Sequence, residues 1–313
     1  MTDPTHPETA RADRLAADTA MGAVTLDVAD LDAMTAYYRD AVGLDVIHAI
    51  GDRVALGRGA KTLLRLHHSP DLKHAGPREA GLFHTAFLFD SKAALAAAVY
   101  GVAQRHPDTF RGSSDHLVSN AFYFDDPEGN GVELYWDRDR SEWSWAHGRV
   151  EMNTLFLDPN RFLQQNLTEE GLAGPGQGDA EIGHVHLSVG SIAPAREFYV
   201  DRLGFDTTAE IGDTALFVSA GGYHHHMAMN VWNSKGAGRR QPTLGLGQVD
   251  IVLPGADAVG ELSERMRHYG IDARDDGRTV SFDDPWANTI RVLATSEAET
   301  QADAATSGTP TRP

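Results

Sequence analysis

Apolar and polar side chains alternate along GAVTLDVADLDAMTAYYRDAVGLDV, which begins at Gly22, and again along GHVHLSVGSIAPAREFYVDRLGFDT, which begins at Gly183. Val24, Leu26 and Val28 in the first stretch, and Val185, Leu187 and Val189 in the second, share one face of a strand of period two. The period then lengthens to that of a helix, with an aromatic pair near its end, Tyr37-Tyr38 or Phe198-Tyr199. Gly43 and Gly204 follow, placed to close each helix in the left-handed conformation. The two stretches align without a gap.

A second pattern also occurs twice. LFHTAFLF (Leu82 to Phe89) precedes an Ala-rich helix and then YFDDPEGNGVELYW (Tyr123 to Trp136). GQVDIVLP (Gly247 to Pro254) precedes a helix near Val259–Tyr269 and then SFDDPWANTIRVLA (Ser281 to Ala294). The FDDP turns, Phe124–Pro127 and Phe282–Pro285, superpose. Internal repeats decide the architecture before any single residue does. The chain therefore reads as four units of about 50 residues, each a strand and a helix followed by several strands, an α+β class.

Outside the repeats the pattern weakens. Residues 1–20 and 296–313 are polar and Ala/Thr/Pro-rich, and are expected to be disordered tails. Residues 21–137 hold the first pair of units and residues 182–295 the second. Residues 138–181 form a long connection with a short helix over Asp158–Leu167, and Trp143 and Trp145 as packing anchors.

Composition narrows the chemistry. Forty-five acidic against 27 basic residues give a formal charge of −18, which repels phosphate backbones and argues against a nucleic-acid partner. The absence of cysteine removes thiol nucleophiles, disulfides and Cys-ligated metals. No apolar run approaches the roughly 20 residues of a membrane span, so no membrane partner is expected and the expected address is the cytoplasm. Fifteen histidines are the compositional hint of chemistry.

Residues Asp115 to Glu133, DHLVSNAFYFDDPEGNGVE, carry a His, a short spacer, an apolar residue and Tyr, then a D-P-x-G turn and a Glu. This run resembles the signature of the catechol 2,3-dioxygenase-like extradiol enzymes in the vicinal oxygen chelate superfamily, with Ser114 as one departure from the pattern. The resemblance extends over residues ~21–295. It implies four βαβββ modules forming two half-barrels, with one divalent metal held by residues near the start of a module's first strand and by the Glu of its last strand.

Which barrel holds the metal follows from ligand chemistry. The four first-strand positions carry Ala23, His84, His184 and Gln248, and the last-strand positions align as Arg65, Glu133, Asn230 and Arg291. A non-haem Fe(II) oxygenase site needs two imidazoles and one carboxylate, and a guanidinium cannot ligate a cation. Only modules two and three together supply His84, Glu133 and His184. The expected pairing is thus second with third and first with fourth, leaving a metal-free barrel in which Arg65 and Arg291 either pair with acidic residues or face an anion. Fe(II) is expected by resemblance, with Mn(II) admitted by the same ligands.

The resemblance further places a catalytic His at His225 or His226. Strand alternation through Gly221-Gly222-Tyr223-His224-His225-His226 favours His226, with His224 and Asn230 on its face. His116 and Tyr123 match positions that hydrogen-bond substrate or oxygen, and Asp115 either orients His116 or caps a turn. Asn230, His224 and Tyr223 are the expected substrate contacts. The expected reaction is ring opening of a small aromatic diol by O2 to a semialdehyde or related acid. Two alternatives are a glyoxalase- or epimerase-type isomerase, which needs a carboxylate base at the fourth corner, and a metal-free binding protein. Homo-oligomerisation stays open.

Overall fold

The computed structural model describes residues 14–147, 149–295 and 298. Sixteen of its strands fall into four groups of four. Module one has Ala20–Val28, Asp45–Ile50, Arg53–Arg58 and Lys61–His68, and module two has Gly81–Phe89, Phe110–Asp115, Ser119–Asp125 and Gly131–Asp137. Module three has Ala180–Ser188, Asp206–Ile211, Ala215–Ser219 and Met227–Asn230, and module four has Gly245–Leu253, Arg274–Asp275, Thr279–Asp283 and Thr289–Ala294. Most of the N-terminal tail and nearly all of the C-terminal tail expected to be disordered lie outside the described residues.

Two sheets result. Modules one and four build an eight-stranded sheet, and modules two and three build a nine-stranded sheet whose edge strand, Leu155–Phe156, comes from the connection. In each sheet the first strands of the two modules lie antiparallel at the centre, and each module's last strand runs parallel to its own first strand. A parallel neighbour cannot be reached by a tight turn, so each module needs its helix as a crossover. Two such sheets are consistent with the half-barrels of the vicinal oxygen chelate fold.

The repeated motifs do the same work in both halves. In module two, Asp126 accepts hydrogen bonds from the Glu128 and Asn130 amides and from the Asn130 side chain, locking the turn in which Gly129 takes φ +84°. Tyr38, on the helix of module one, donates to the same carboxylate at 2.9 Å. Asp284 is bound in the same way by the Trp286 and Asn288 amides, the Asn288 side chain and the Tyr199 hydroxyl at 3.0 Å. The aromatic pair ending each helix is therefore a strut to the FDDP turn of the next module. Both helices widen to i→i+5 bonding over the strut, at Tyr37–Val42 and Glu197–Arg202. Gly43 and Gly204 take the positive φ expected of them, +89° and +99°.

The connection between the halves is more ordered than its composition suggests. Helix Pro159–Asn166 is capped by the Asp158 carboxylate. Trp143 is buried with Val118, Val150 and Tyr223 and donates its indole N–H to the Arg138 carbonyl, whereas Trp145 is exposed. Residues 14–20 also depart from the expected disorder. The Arg14 guanidinium donates to the Val200 and Phe205 carbonyls, Leu15 is buried and Ala20 opens the first strand. No helix among the described residues is long and apolar enough to cross a membrane.

Candidate functional site

The centre of the nine-stranded sheet brings three buried donors together. His84 on Gly81–Phe89 and His184 on Ala180–Ser188 point their Nε2 atoms at one oxygen of Glu133 on Gly131–Asp137, at 2.9 and 3.0 Å. The two imidazole nitrogens are 3.3 Å apart. Strand order explains the convergence. Gly81–Phe89 is flanked by the strands of Glu133 and His184, and Ala86 is the register partner of both residues. A small side chain at the middle position leaves the space between them open. Gly183 is needed for the same packing, because a Cβ there would overlap the Tyr135 hydroxyl at 1.6 Å.

Burial raises a carboxyl's pKa, yet the His184 and His84 imidazoles hold Glu133 well below the usual carboxylate range. His184 is pushed down to about 4 by burial, against the opposing pull of Glu133. An anionic carboxylate and a neutral imidazole are the forms that bind a metal. The three ligand atoms all lie within 4.8 Å of one another, and His184 Nδ1 is buried without a hydrogen-bond partner among the described residues. The donor set suits a divalent cation with positions left over for other ligands.

The donors form the floor of a cavity of about 1150 Å³, larger than the roughly 300–1,000 Å³ of ordinary small-molecule sites. Phe83, Phe217 and Trp232 line it beside His186, with Phe83 and Trp232 ring centres 5.3 Å apart. The connection closes one side through Arg149 to Thr154, and Arg149 pairs with Glu210 at 3.2 Å across the mouth. His116 donates from Nδ1 to the Asn153 carbonyl at 2.8 Å, so its Nε2 accepts the Tyr123 hydroxyl, also at 2.8 Å. Burial and the Glu133 charge push the Tyr123 phenol well above its ordinary range. Asp115 caps the turn through the Leu117 amide and pairs with Arg138, rather than orienting His116.

The histidine run is arranged differently from the alternation expected of it. The strand begins only at Met227, after Gly221 and Gly222 take φ of +62° and +69°. His224, His225 and His226 therefore lie in the irregular segment between that turn and the strand, where period two does not apply. His225 lines the cavity with its ring 4.1 Å from that of His184. His226 turns away from the cavity, its Nδ1 accepting from the Ala220 amide and lying 3.1 Å from the Ser219 hydroxyl, with Phe205 stacked behind it. His224 lines the cavity too, and Tyr223 is buried with its hydroxyl on Asp137 at 2.7 Å.

Register also moves the fourth corner. Glu133 is the partner of Ala86, Arg65 of Thr25 and Arg291 of Asp250, and the corresponding partner in module three, opposite His186, is Ala228. Asn230 sits two residues further on, fully buried, and its side-chain amide bonds His186 Nε2 at 3.0 Å. His186, Asp137 and the cavity-lining segment of the connection belong to the site without standing out in the sequence pattern. The first two carry a signal in retrospect, since His186 is two residues from His184 and Asp137 four from Glu133 on the same strand faces. The segment from Arg149 to Thr154 has no local signal.

Comparison with known proteins agrees with this architecture. The Glyoxalase/Bleomycin resistance protein/Dioxygenase superfamily matches residues 20–134 and 181–292. A catechol-2,3-dioxygenase of Bacillus subtilis (strain 168) is 33% identical over 282 residues, covering 86% of this chain and 94% of the relative. Among solved structures, a protein of Bacillus subtilis subsp. subtilis str. 168 superposes with a TM-score of 0.60 at 11% identity, covering 90% of this chain and 86% of that one. Glyoxalase I from Zea mays superposes with a TM-score of 0.53 at 14% identity, covering 92% and 96%. At such identities the structural likeness speaks to the fold alone. With both of its paired repeats matched and a curated relative aligned along most of its length, the chain belongs to the glyoxalase/bleomycin resistance/dioxygenase superfamily, on its catechol 2,3-dioxygenase-like side.

Proposed function

We propose that this protein is an Fe(II)-dependent extradiol dioxygenase that opens the ring of a catechol-like diol, with the metal held by His84, Glu133 and His184 of modules two and three. The observation that carries this reading is the convergence of one carboxylate and two imidazoles at the floor of an aromatic-lined cavity. When bound, the metal would lower the pKa of a diol hydroxyl and gather diol and dioxygen in one coordination sphere.

The chain's own residues supply the rest. Phe83, Phe217 and Trp232 offer apolar walls to an aromatic ring, and the cavity accommodates substituents larger than a single ring. His225, rather than His226, accepts the second hydroxyl proton, because it is the one that faces the cavity beside His184. A general base so placed contributes about 10²–10⁴-fold to a rate. Tyr123 turns its hydroxyl proton from His116 Nε2 to an oxygen atom as negative charge develops there, while His116, tied to the Asn153 carbonyl, holds the phenol in position. Asn230 supports His186 rather than meeting substrate directly. Ala228 brings no carboxylate to the fourth corner, which weighs against an isomerase.

The test is anaerobic loading with Fe(II), addition of catechol or 4-methylcatechol, and admission of oxygen. The expected result is a yellow ring-opened product with one O2 consumed per diol. Parallel loading with Mn(II) decides between the two metals. Bound metal with no oxygen uptake across several diols would shift the reading to an isomerase, and failure to retain either metal would overturn it.

A further inference from the structure

Asp137 takes no part in the function proposed above, yet it ends a hydrogen-bonded chain that leads into the cavity. It lies four residues beyond Glu133 on the same strand, so alternation puts Glu133, Tyr135 and Asp137 on one face. Its Oδ2 accepts the Tyr223 hydroxyl at 2.7 Å, and Tyr223 in turn accepts from Tyr135 at 2.7 Å. Its Oδ1 lies 3.0 Å from His224 Nε2, and His224 Nδ1 lies 2.8 Å from His225 Nδ1.

The proton positions in this chain follow from its end. An ionised carboxylate only accepts, so His224 must carry its proton on Nε2. A neutral His224 then has a lone pair on Nδ1, and the 2.8 Å contact is a hydrogen bond only if His225 donates from its own Nδ1. That leaves His225 Nε2 unprotonated, on a ring lining the cavity, with no hydrogen-bond partner for that atom among the described residues. We propose that Asp137, acting through His224, fixes the tautomer of His225 so that Nε2 is a ready proton acceptor facing the substrate.

Asp137 and His224 are thus positioning residues, and His224 is assigned this role in place of substrate contact. The catalytic consequence rests on the dioxygenase reading; the tautomer itself does not. In the proton-transfer step a hydroxyl O–H bond of the diol breaks, its electron pair stays on oxygen, and an N–H bond forms at His225 Nε2. The imidazolium so formed still donates from Nδ1 to His224, which remains anchored on Asp137. Reversed geometry, with a proton already on Nε2, would make His225 a donor and unable to take the proton.

Two readouts test the proposal on the full chain. Ring-nitrogen NMR of the 15N-histidine-labelled, metal-free protein, with His225 assigned by the loss of its signals in His225→Gln, should show a proton on Nδ1 and none on Nε2. Asp137→Asn should move it to Nε2, because the amide nitrogen can donate where the carboxylate accepted. In the Fe(II)-loaded enzyme the same change should lower kcat about 100-fold, with KM and metal content within about twofold of wild type. His224→Phe breaks the chain independently, should the first variant fold poorly. Asp137→Asn added to it should cost no further activity, because the two act in series. A proton on His225 Nε2 in the wild type, an unchanged tautomer in Asp137→Asn, or additive losses in the double variant would overturn the proposal. If no diol is turned over at all, the dioxygenase reading fails while the NMR result still decides the tautomer.

Discussion

The two sheets share one topology and have opposite electrostatics at their centres. In the nine-stranded sheet a carboxylate on the outer strand, Glu133, faces two imidazoles across the small Ala86. The eight-stranded sheet puts the carboxylate on the central strand, as Asp250, and guanidiniums on both outer strands, as Arg65 and Arg291. Arg65 reaches Asp250 at 2.8 Å, Arg291 does so through Nε at 3.0 Å, and Gln248 adds a bond at 2.7 Å. Of the two options open for Arg65 and Arg291, pairing with an acidic residue is the one seen. Asp250 occupies the position that Ala86 leaves open, so one sheet carries a carboxylate already held by guanidiniums of the same sheet and the other a carboxylate faced by two imidazoles. A repeated scaffold has been used once for binding and once for cohesion.

Removing a donor should have the greatest consequence. His184→Ala should abolish both metal retention and turnover, read by metal content per chain and oxygen uptake. Retained activity would mean that the donors are not the site. The matching change in the other sheet is Asp250→Ala, which removes the carboxylate that both guanidiniums share. It should cost roughly 3 kcal/mol of stability, the lower end for breaking a buried ion pair, measured by urea unfolding, while metal content in the folded protein stays at wild-type level. Loss of metal in this variant would show that the two centres are coupled.

A finer comparison uses the two struts. Tyr38→Phe and Tyr199→Phe each remove one hydroxyl bond to a buried turn carboxylate, worth about 1.5–3 kcal/mol for a charged acceptor. Both should lower the unfolding midpoint by similar amounts. Only Tyr38→Phe should also weaken metal retention, because the Asp126 turn starts the strand carrying Glu133, whereas the Asp284 turn starts the strand carrying Arg291. Equal metal affinity in the two variants would mean that the turn does not position the ligand strand.

These struts also explain which features were legible in the sequence. The FDDP turn is closed by bonds within five residues, so its chemistry is written locally, and the repeats could be aligned on it. The three donors were legible because their residue types admit few other assignments. The register of module three was not, since its last strand spans only Met227–Asn230 and follows a glycine turn that breaks alternation; the fourth corner shifts by two residues, from Asn230 to Ala228, and the inward histidine from His226 to His225. The segment from Arg149 to Thr154 was illegible because it reaches the cavity through the Arg149–Glu210 pair and the Asn153–His116 bond, contacts between residues distant in sequence.

The smallest effect separates the sheets by their response to acid. The nine-stranded sheet buries several neutral imidazoles: His226 is pushed down to about 3 and His184 to about 4, in both cases chiefly by burial, and His225 and His186 are shifted the same way. An unfolded chain takes up these protons near pH 6.5, whereas the folded chain resists them. Below that pH the unfolded state binds more protons, so the stability these groups confer is full above about 6.5 and is lost as pH falls toward 4 and then 3. Asp126 acts in the opposite sense, because burial raises its folded pKa to about 6 and its protonation favours the folded state between about 6 and 4. Burial raises Asp284 in the same sense, and four imidazoles outnumber these two carboxyls, so the metal-free protein should lose stability between pH 6.5 and 5. His226→Phe should make the decline shallower, by up to one proton in the slope of unfolding free energy against pH, because it removes one neutral imidazole that lies away from the metal ligands. An unchanged slope would mean that His226 is already protonated in the folded state, against the Ala220 amide that its Nδ1 accepts from.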